Sequence, residues 1–119
     1  MPNHICHHEI PADDPVRAMN FYKSIFDWKF QDIDMGESGH YYIFCTGAET
    51  GGGGICKKCP EGGSVVNYVT VDDIPAMCDK VRANGGIVVL EKTAIGGNYG
   101  FMALCKDTED NMFGLWSQD

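Results

Sequence analysis

One unit of chain is written twice in this sequence. His7-His8-Glu9-Ile10-Pro11-Ala12-Asp13-Asp14 aligns with Val66-Asn67-Tyr68-Val69-Thr70-Val71-Asp72-Asp73 at an offset of 59. Further on, Cys45-Thr46 stands opposite Cys105-Lys106, and Gly54-Ile55-Cys56 opposite Gly114-Leu115-Trp116, at an offset of 60. A repeat with this period means that one supersecondary unit occurs in two copies, neither of which buries its apolar face alone. It also supplies equivalent positions that can be compared with each other.

A chain of 119 residues fits one domain. Two modules of about 55 residues would each be marginal by themselves. A single domain over residues 1–119 is therefore expected, with modules at about 3–58 and 65–118. The apolar share of 44% is that of a globular chain, not a disordered one. No apolar run approaches the roughly 18 residues of a membrane span. The start, MPNHICHHEI, has neither a basic region nor an apolar export segment, so a cytoplasmic location is expected. A net charge of -8 without a Lys/Arg cluster argues against nucleic-acid and membrane partners. Six cysteines without export signals read mostly as buried, reduced thiols, and Cys45 and Cys105 as matching core positions.

The first copy starts with a strand at 4–10. Asp13 or Asp14 then offers an N-cap and Pro15 suits the first helical turn. Ala18, Phe21, Tyr22 and Ile25 give one apolar face, which predicts a helix over 15–26. Strands are predicted at Lys29–Met35, His40–Cys45 and about Gly53–Lys58, separated by glycine-rich breaks. The second copy predicts a strand at Val65–Val71 and a helix over 74–84, capped by Asp72 or Asp73 and stopped by Asn84-Gly85-Gly86. Strands then follow at Ile87–Glu91, Tyr99–Lys106 and Met112–Ser117. The order is βαβββ twice, an α+β arrangement in which each helix covers one face of a curved mixed sheet. The other face would form a concavity, where ligand sites concentrate.

HHEIPADDPVRAMNFYKSIFDWKF, VTVDDIPAMCDKVRANGG and the ending DTEDNMFGLW resemble the vicinal oxygen chelate superfamily, the group of glyoxalases, bleomycin-resistance proteins and extradiol dioxygenases. The resemblance covers essentially the whole chain and implies the paired βαβββ fold. That fold carries several activities, so it does not name this one. In metal-dependent members, the first and last strands of each module give four ligands to a divalent ion that polarises vicinal substrate oxygens. The matching positions here are His7, Val66, Gly54 and Gly114, of which only His7 can donate. The resemblance also implies a homodimer.

Strand alternation puts His7 and Glu9 on one face and Cys6, His8 and Ile10 on the other. Val66, Tyr68 and Thr70 share a face, as do Met112, Gly114 and Trp116. With His7, Glu9 and Gly54 these residues outline a mainly apolar ligand site carrying a few polar groups. The expected function is binding of a small organic molecule, with no cofactor. The residues do not separate a binding protein from an enzyme. The alternative is a metal-dependent lyase or dioxygenase with a shifted site around His7 and Glu9, with His40 as an added donor. A third reading is a subunit whose sheet serves chiefly for dimerisation.

Other motifs weigh less. Cys56-Lys57-Lys58-Cys59 has the spacing of half a zinc site or a redox pair, but no second pair accompanies it. It reads as structural, or at most as an adventitious disulfide in the link. The Gly51–Gly54 run lacks the Lys-Ser/Thr ending of a phosphate loop, which argues against nucleotide binding. His40 reads as a solvated edge residue and His4 as a terminal residue without a role.

Overall fold

A computed structural model describes residues 3–34, 39–47, 52–58 and 64–119. These residues form two compact units, one of Cys6–Val66 and one of residues 3–5 with Asn67–Asp119. The first carries β1 (Ile5–Ala12), α1 (Pro15–Ile25), β2 (Lys29–Asp34), β3 (His40–Cys45) and β4 (Gly52–Lys57). The second carries β5 (Val66–Thr70), α2 (Ile74–Ala83), β6 (Ile87–Ala94), β7 (Phe101–Lys106) and β8 (Met112–Ser117). The βαβββ order therefore occurs twice. Met35, the first glycine break through Ser38, Gly51 and the link from Cys59 to Gly63 lie outside the described residues.

Each unit has the same strand connectivity. The strand order is β2-β3-β4-β1 in the first and β5-β8-β7-β6 in the second. The first and last strands of a unit pair in parallel, as Glu9 with Gly54 and Tyr68 with Gly114 show. The other ladders are antiparallel. Such a parallel pair needs a long crossover, which the helix and two further strands supply.

Local chemistry starts both helices alike. Asp14 accepts the Arg17 N–H at 3.1 Å, with Pro15 at the start of α1. Asp73 accepts the Ala76 N–H at 3.0 Å, with a proline in the first turn of α2. These side chains satisfy amide groups that a helix N-terminus leaves without partners. Gly85 ends α2 with a positive φ of 91°, which suits a residue without a Cβ.

The core of the first unit is Ala12, Phe44 and Ile55, with Ile10, Ala18, Met19, Tyr22, Trp28, Phe30 and Tyr42 packed around them. Trp28 stacks on Phe44 at 4.7 Å between ring centroids. The apolar stripe of α1 is thus Ala18, Met19 and Tyr22, while the expected Phe21 and Ile25 are exposed. The helix has turned so that its i, i+1, i+4 residues, not its i, i+3, i+7 residues, meet the sheet. In the second unit Ile74 and Cys78 of α2 pack on Val71, Ala103, Cys105 and Leu115. The Cys78 and Cys105 thiols hydrogen-bond there, and burial pushes Cys105 up to about 11.

Cys45 departs from its expected core place. It is exposed, whereas Cys105 is fully buried. Phe44 pairs with Gly53 and Cys105 with Phe113, so Phe44, not Cys45, is the counterpart of Cys105. The offset along this strand is one residue larger than the sequence alignment implied. Because strand side chains alternate, a slip of one residue reverses the face.

His4 is also more engaged than its terminal position implied. Its carbonyl accepts the Thr70 N–H at 3.0 Å, and the Asn3 side chain donates to the Thr70 carbonyl at 2.9 Å. Among the described residues, no helix is long and apolar enough to cross a membrane.

This packing sets a contrast between two apolar helix residues. Ile74→Ala empties a fully buried site and is expected to cost about 2–5 kcal/mol in urea unfolding. Phe21→Ala removes an exposed ring and should cost under about 1 kcal/mol. Equal losses would contradict the assigned helix faces.

Candidate functional site

The polar site of the first unit lies on the sheet face opposite α1. Alternation along β1 turns Ile10 and Ala12 into the core and leaves His7 and Glu9 on the other side. On β3, Tyr42 and Phe44 join the core, so Tyr41 projects toward the face of His7 and Glu9. The three side chains meet. His7 Nε2 lies 2.5 Å from Tyr41 Oη, and the Tyr41 hydroxyl donates to Glu9 Oε2 at 3.4 Å. The His7 and Tyr41 rings lie nearly parallel, 18° apart. The Cys56 thiol on β4 donates to the same carboxylate.

Burial decides the charge state of this group. It holds His7 below the usual imidazole range, and the neighbouring His8 charge adds to the effect. It lifts Glu9 above the usual carboxylate range, against the opposing hydrogen bonds from Cys56 and Tyr41. Desolvation thus favours the uncharged form of both groups. An imidazole, a phenol and a carboxyl thus share one hydrogen-bonded chain.

Glycine makes the arrangement sterically feasible. A side chain on Gly53 would strike the His8 backbone. One on Gly54 would overlap the Tyr41 ring and hydroxyl. The glycine run is therefore a close-approach device, with Gly53 and Gly54 held between neighbouring strands.

The second unit places the other expected residues differently. Tyr68 is buried directly opposite Gly114, and a side chain on Gly114 would overlap its ring. Thr70 is buried with its hydroxyl 3.4 Å from the His4 carbonyl. The Trp116 indole N–H donates to the Tyr99 carbonyl at 2.8 Å, so its polar edge is engaged within its own unit. Met112 is half-buried beside Lys106 on β7. Val66 is buried at the start of β5.

His40 does not join His7 and Glu9. It lies on the opposite face of β3 from Tyr41 and is exposed, with Nδ1 2.8 Å from Asp32 Oδ1. The Asp32 hydrogen bond and charge raise its pKa. This corrects its candidacy as a donor in a shifted site. Among the described residues, no three His, Cys, Asp or Glu side chains converge as a metal-holding group.

Sequence reasoning missed Tyr41 and the role of Cys56. Alternation along β3 separates Tyr41, Ile43 and Cys45 from His40, Tyr42 and Phe44, but the expected burial of Cys45 puts Tyr41 on the wrong face. The structure places Phe44 and Tyr42 in the core. Cys56 drew attention for its spacing to Cys59, which is outside the described residues. Its actual neighbour is a carboxylate on the adjacent strand.

Known proteins share this architecture. The chain is 30% identical over 113 residues to "Putative glyoxylase CFP32" of Mycobacterium bovis and Mycobacterium tuberculosis, covering 91% of this chain but 43% of those proteins. It thus spans under half the length of these mycobacterial relatives. It is 32% identical over 109 residues to a glyoxylase-like domain-containing protein of Didymella fabae, covering 87% of this chain and 84% of that protein. The fold matches that of the hypothetical protein BH1468 from Bacillus halodurans C-125, with a TM-score of 0.76 at 14% identity over 98% of this chain and 94% of the other. The profile of the Glyoxalase/Bleomycin resistance protein/Dioxygenase superfamily matches residues 3–115. With the doubled βαβββ order and this coverage, the chain belongs to the glyoxalase/bleomycin resistance protein/dioxygenase superfamily.

Proposed function

We propose that this chain binds a small organic molecule on the His7–Tyr41–Glu9 face of its first unit, without the full chelating set of its family. The observation that carries this reading is the Tyr41 hydroxyl, held between the His7 imidazole and the Glu9 carboxyl on the sheet face away from α1. A divalent ion needs several deprotonated donors around it. Val66, Gly54 and Gly114 offer none at the positions where the resemblance expects ligands. The residues do not fit that centre, and the chemistry proposed here is hydrogen bonding by His7, Tyr41 and Glu9. The acidic net charge of -8 fits a small-molecule partner better than a nucleic acid.

A second reading is favoured by the names of the three relatives, which are called putative glyoxylases or glyoxylase-like. It makes the chain a metal-dependent lyase or dioxygenase-like enzyme centred on His7 and Glu9. That enzyme would act on a glutathione hemithioacetal or a catechol, and a chelator would abolish the activity.

Thermal-shift screening of small aromatic and carbonyl compounds in the presence of a chelator separates the two. The expected result is a reproducible stabilisation that disappears in His7→Ala. Elemental analysis of protein purified without chelator should find far less than one divalent ion per chain. A stoichiometric ion removed by His7→Ala would replace the first reading with the second.

The buried carboxyl sets a pH signature. Because the folded protein holds the Glu9 proton more tightly than the unfolded chain, its contribution is present at acid pH and is lost as pH rises through the raised value. His7 has the opposite sign: its depressed value costs stability as pH falls through it. In urea unfolding across about pH 4 to 8, Glu9→Gln should therefore gain stability relative to wild type as pH rises. A constant difference across that range would show that folding does not raise the Glu9 pKa.

A further inference from the structure

We propose that Tyr41 fills the space of the family's last-strand ligand side chain in the first unit and offers one phenolic hydroxyl to a single ligand oxygen, while Tyr68 fills the matching space in the second. This rests on the binding reading above and names the ligand chemistry for that site. The family position on the last strand of the first unit is Gly54, which lies beside Glu9 on β1 and Ile43 on β3. Any side chain there would run into Tyr41 Cζ and Oη. A carboxylate at position 54 and the ring of Tyr41 therefore compete for one volume. In the second unit the matching glycine, Gly114, lies under the ring of Tyr68.

The two tyrosines are not repeat partners. Tyr68 comes from the first strand of its unit and pairs directly with Gly114. Tyr41 comes from the third strand of its unit and reaches Gly54 diagonally. Two different residues have thus produced the same result, an aromatic ring over a glycine at a ligand position. Packing inherited from duplication does not account for that.

The exchange changes what a ligand must carry. A cation can hold two adjacent ligand oxygens together, whereas one phenolic O–H serves one acceptor. The contact from Tyr41 to Glu9, at 3.4 Å, is long and gives little. The 2.5 Å contact to His7 is short and keeps the hydroxyl in place. An incoming carbonyl oxygen would accept the hydroxyl hydrogen bond in place of Glu9, while His7, as its Nε2–H tautomer, keeps donating to the phenolic oxygen. The favoured ligand is an uncharged compound with one carbonyl oxygen on an apolar body.

A mutant cycle tests the occlusion without any ligand. Gly54→Ala should lower Tm, and Tyr41→Ala in the same chain should restore more than half of the loss. No loss in Gly54→Ala, or no rescue, overturns the proposal. A Co2+ titration then reads the vacated space. Tyr41→Ala with Gly54→Glu should bind Co2+ about tenfold tighter than wild type, with a spectrum free of thiolate bands. Gly54→Glu that binds as well with Tyr41 retained would overturn it. If the charged double variant does not fold, the Gly54→Ala cycle decides alone. For the ligand class, acetophenone and 2-hydroxyacetophenone, which differ by one adjacent oxygen, should bind wild type within about twofold, and Tyr41→Phe should weaken both. Binding of neither, or a strong preference for the vicinal pair, overturns the ligand class. Failure of the binding reading is distinguishable, because it would leave the stability cycle intact while no compound in the screen stabilises the protein.

Discussion

The parallel pairing of the first and last strands within each unit governs the other features. Once Glu9 is set against Gly54, every alternate residue of β1 and β4 has a fixed face. Ile10, Ala12 and Ile55 then meet the helix, and His7, Glu9, Gly54 and Cys56 turn away from it. The same pairing sets Tyr68 against Gly114 and sends Leu115 into the other core. Glycines at positions 53 and 54 are the condition for it, since side chains there would strike the backbone of β1 or the ring of Tyr41.

Polar groups on the side of this ladder away from α1 are held by one another. His7, Tyr41, Glu9 and Cys56 form a connected set drawn from three strands. Among the described residues, no buried side-chain nitrogen or oxygen lacks a hydrogen-bond partner. A half-satisfied network in a poorly solvated place would be costly, so its completeness is a reason for it to keep one geometry. The desolvation that depresses His7 and raises Glu9 acts through the same burial. The outcome is a hydrogen-bonded cluster in which burial works against charge on both groups.

Family membership does not by itself name the function of this chain. The fold is set by two copies of one unit, and the profile match covers residues 3–115. At the positions where the resemblance expects ligands, this chain carries His7, Val66, Gly54 and Gly114. Shared architecture constrains where a ligand site forms, whereas the residues on that face decide its chemistry.

The sequence by itself determined the doubled βαβββ order, both helix starts and most strand positions. Those follow from local rules: an Asp before a proline-containing first turn, period-two alternation and glycine breaks. It also placed His7 and Glu9 on one face, because alternation along a single strand needs no knowledge of its neighbours. Tertiary structure alone decided which strands lie beside them. The meeting of Tyr41 with His7, 34 residues away, depends on β3 and β4 pairing in one register. The burial of Cys105 with exposure of Cys45 depends on a one-residue difference in spacing between the copies. Repeat alignment averages over such a difference, while hydrogen-bonded ladders do not, since a slip of one residue moves every side chain to the other face.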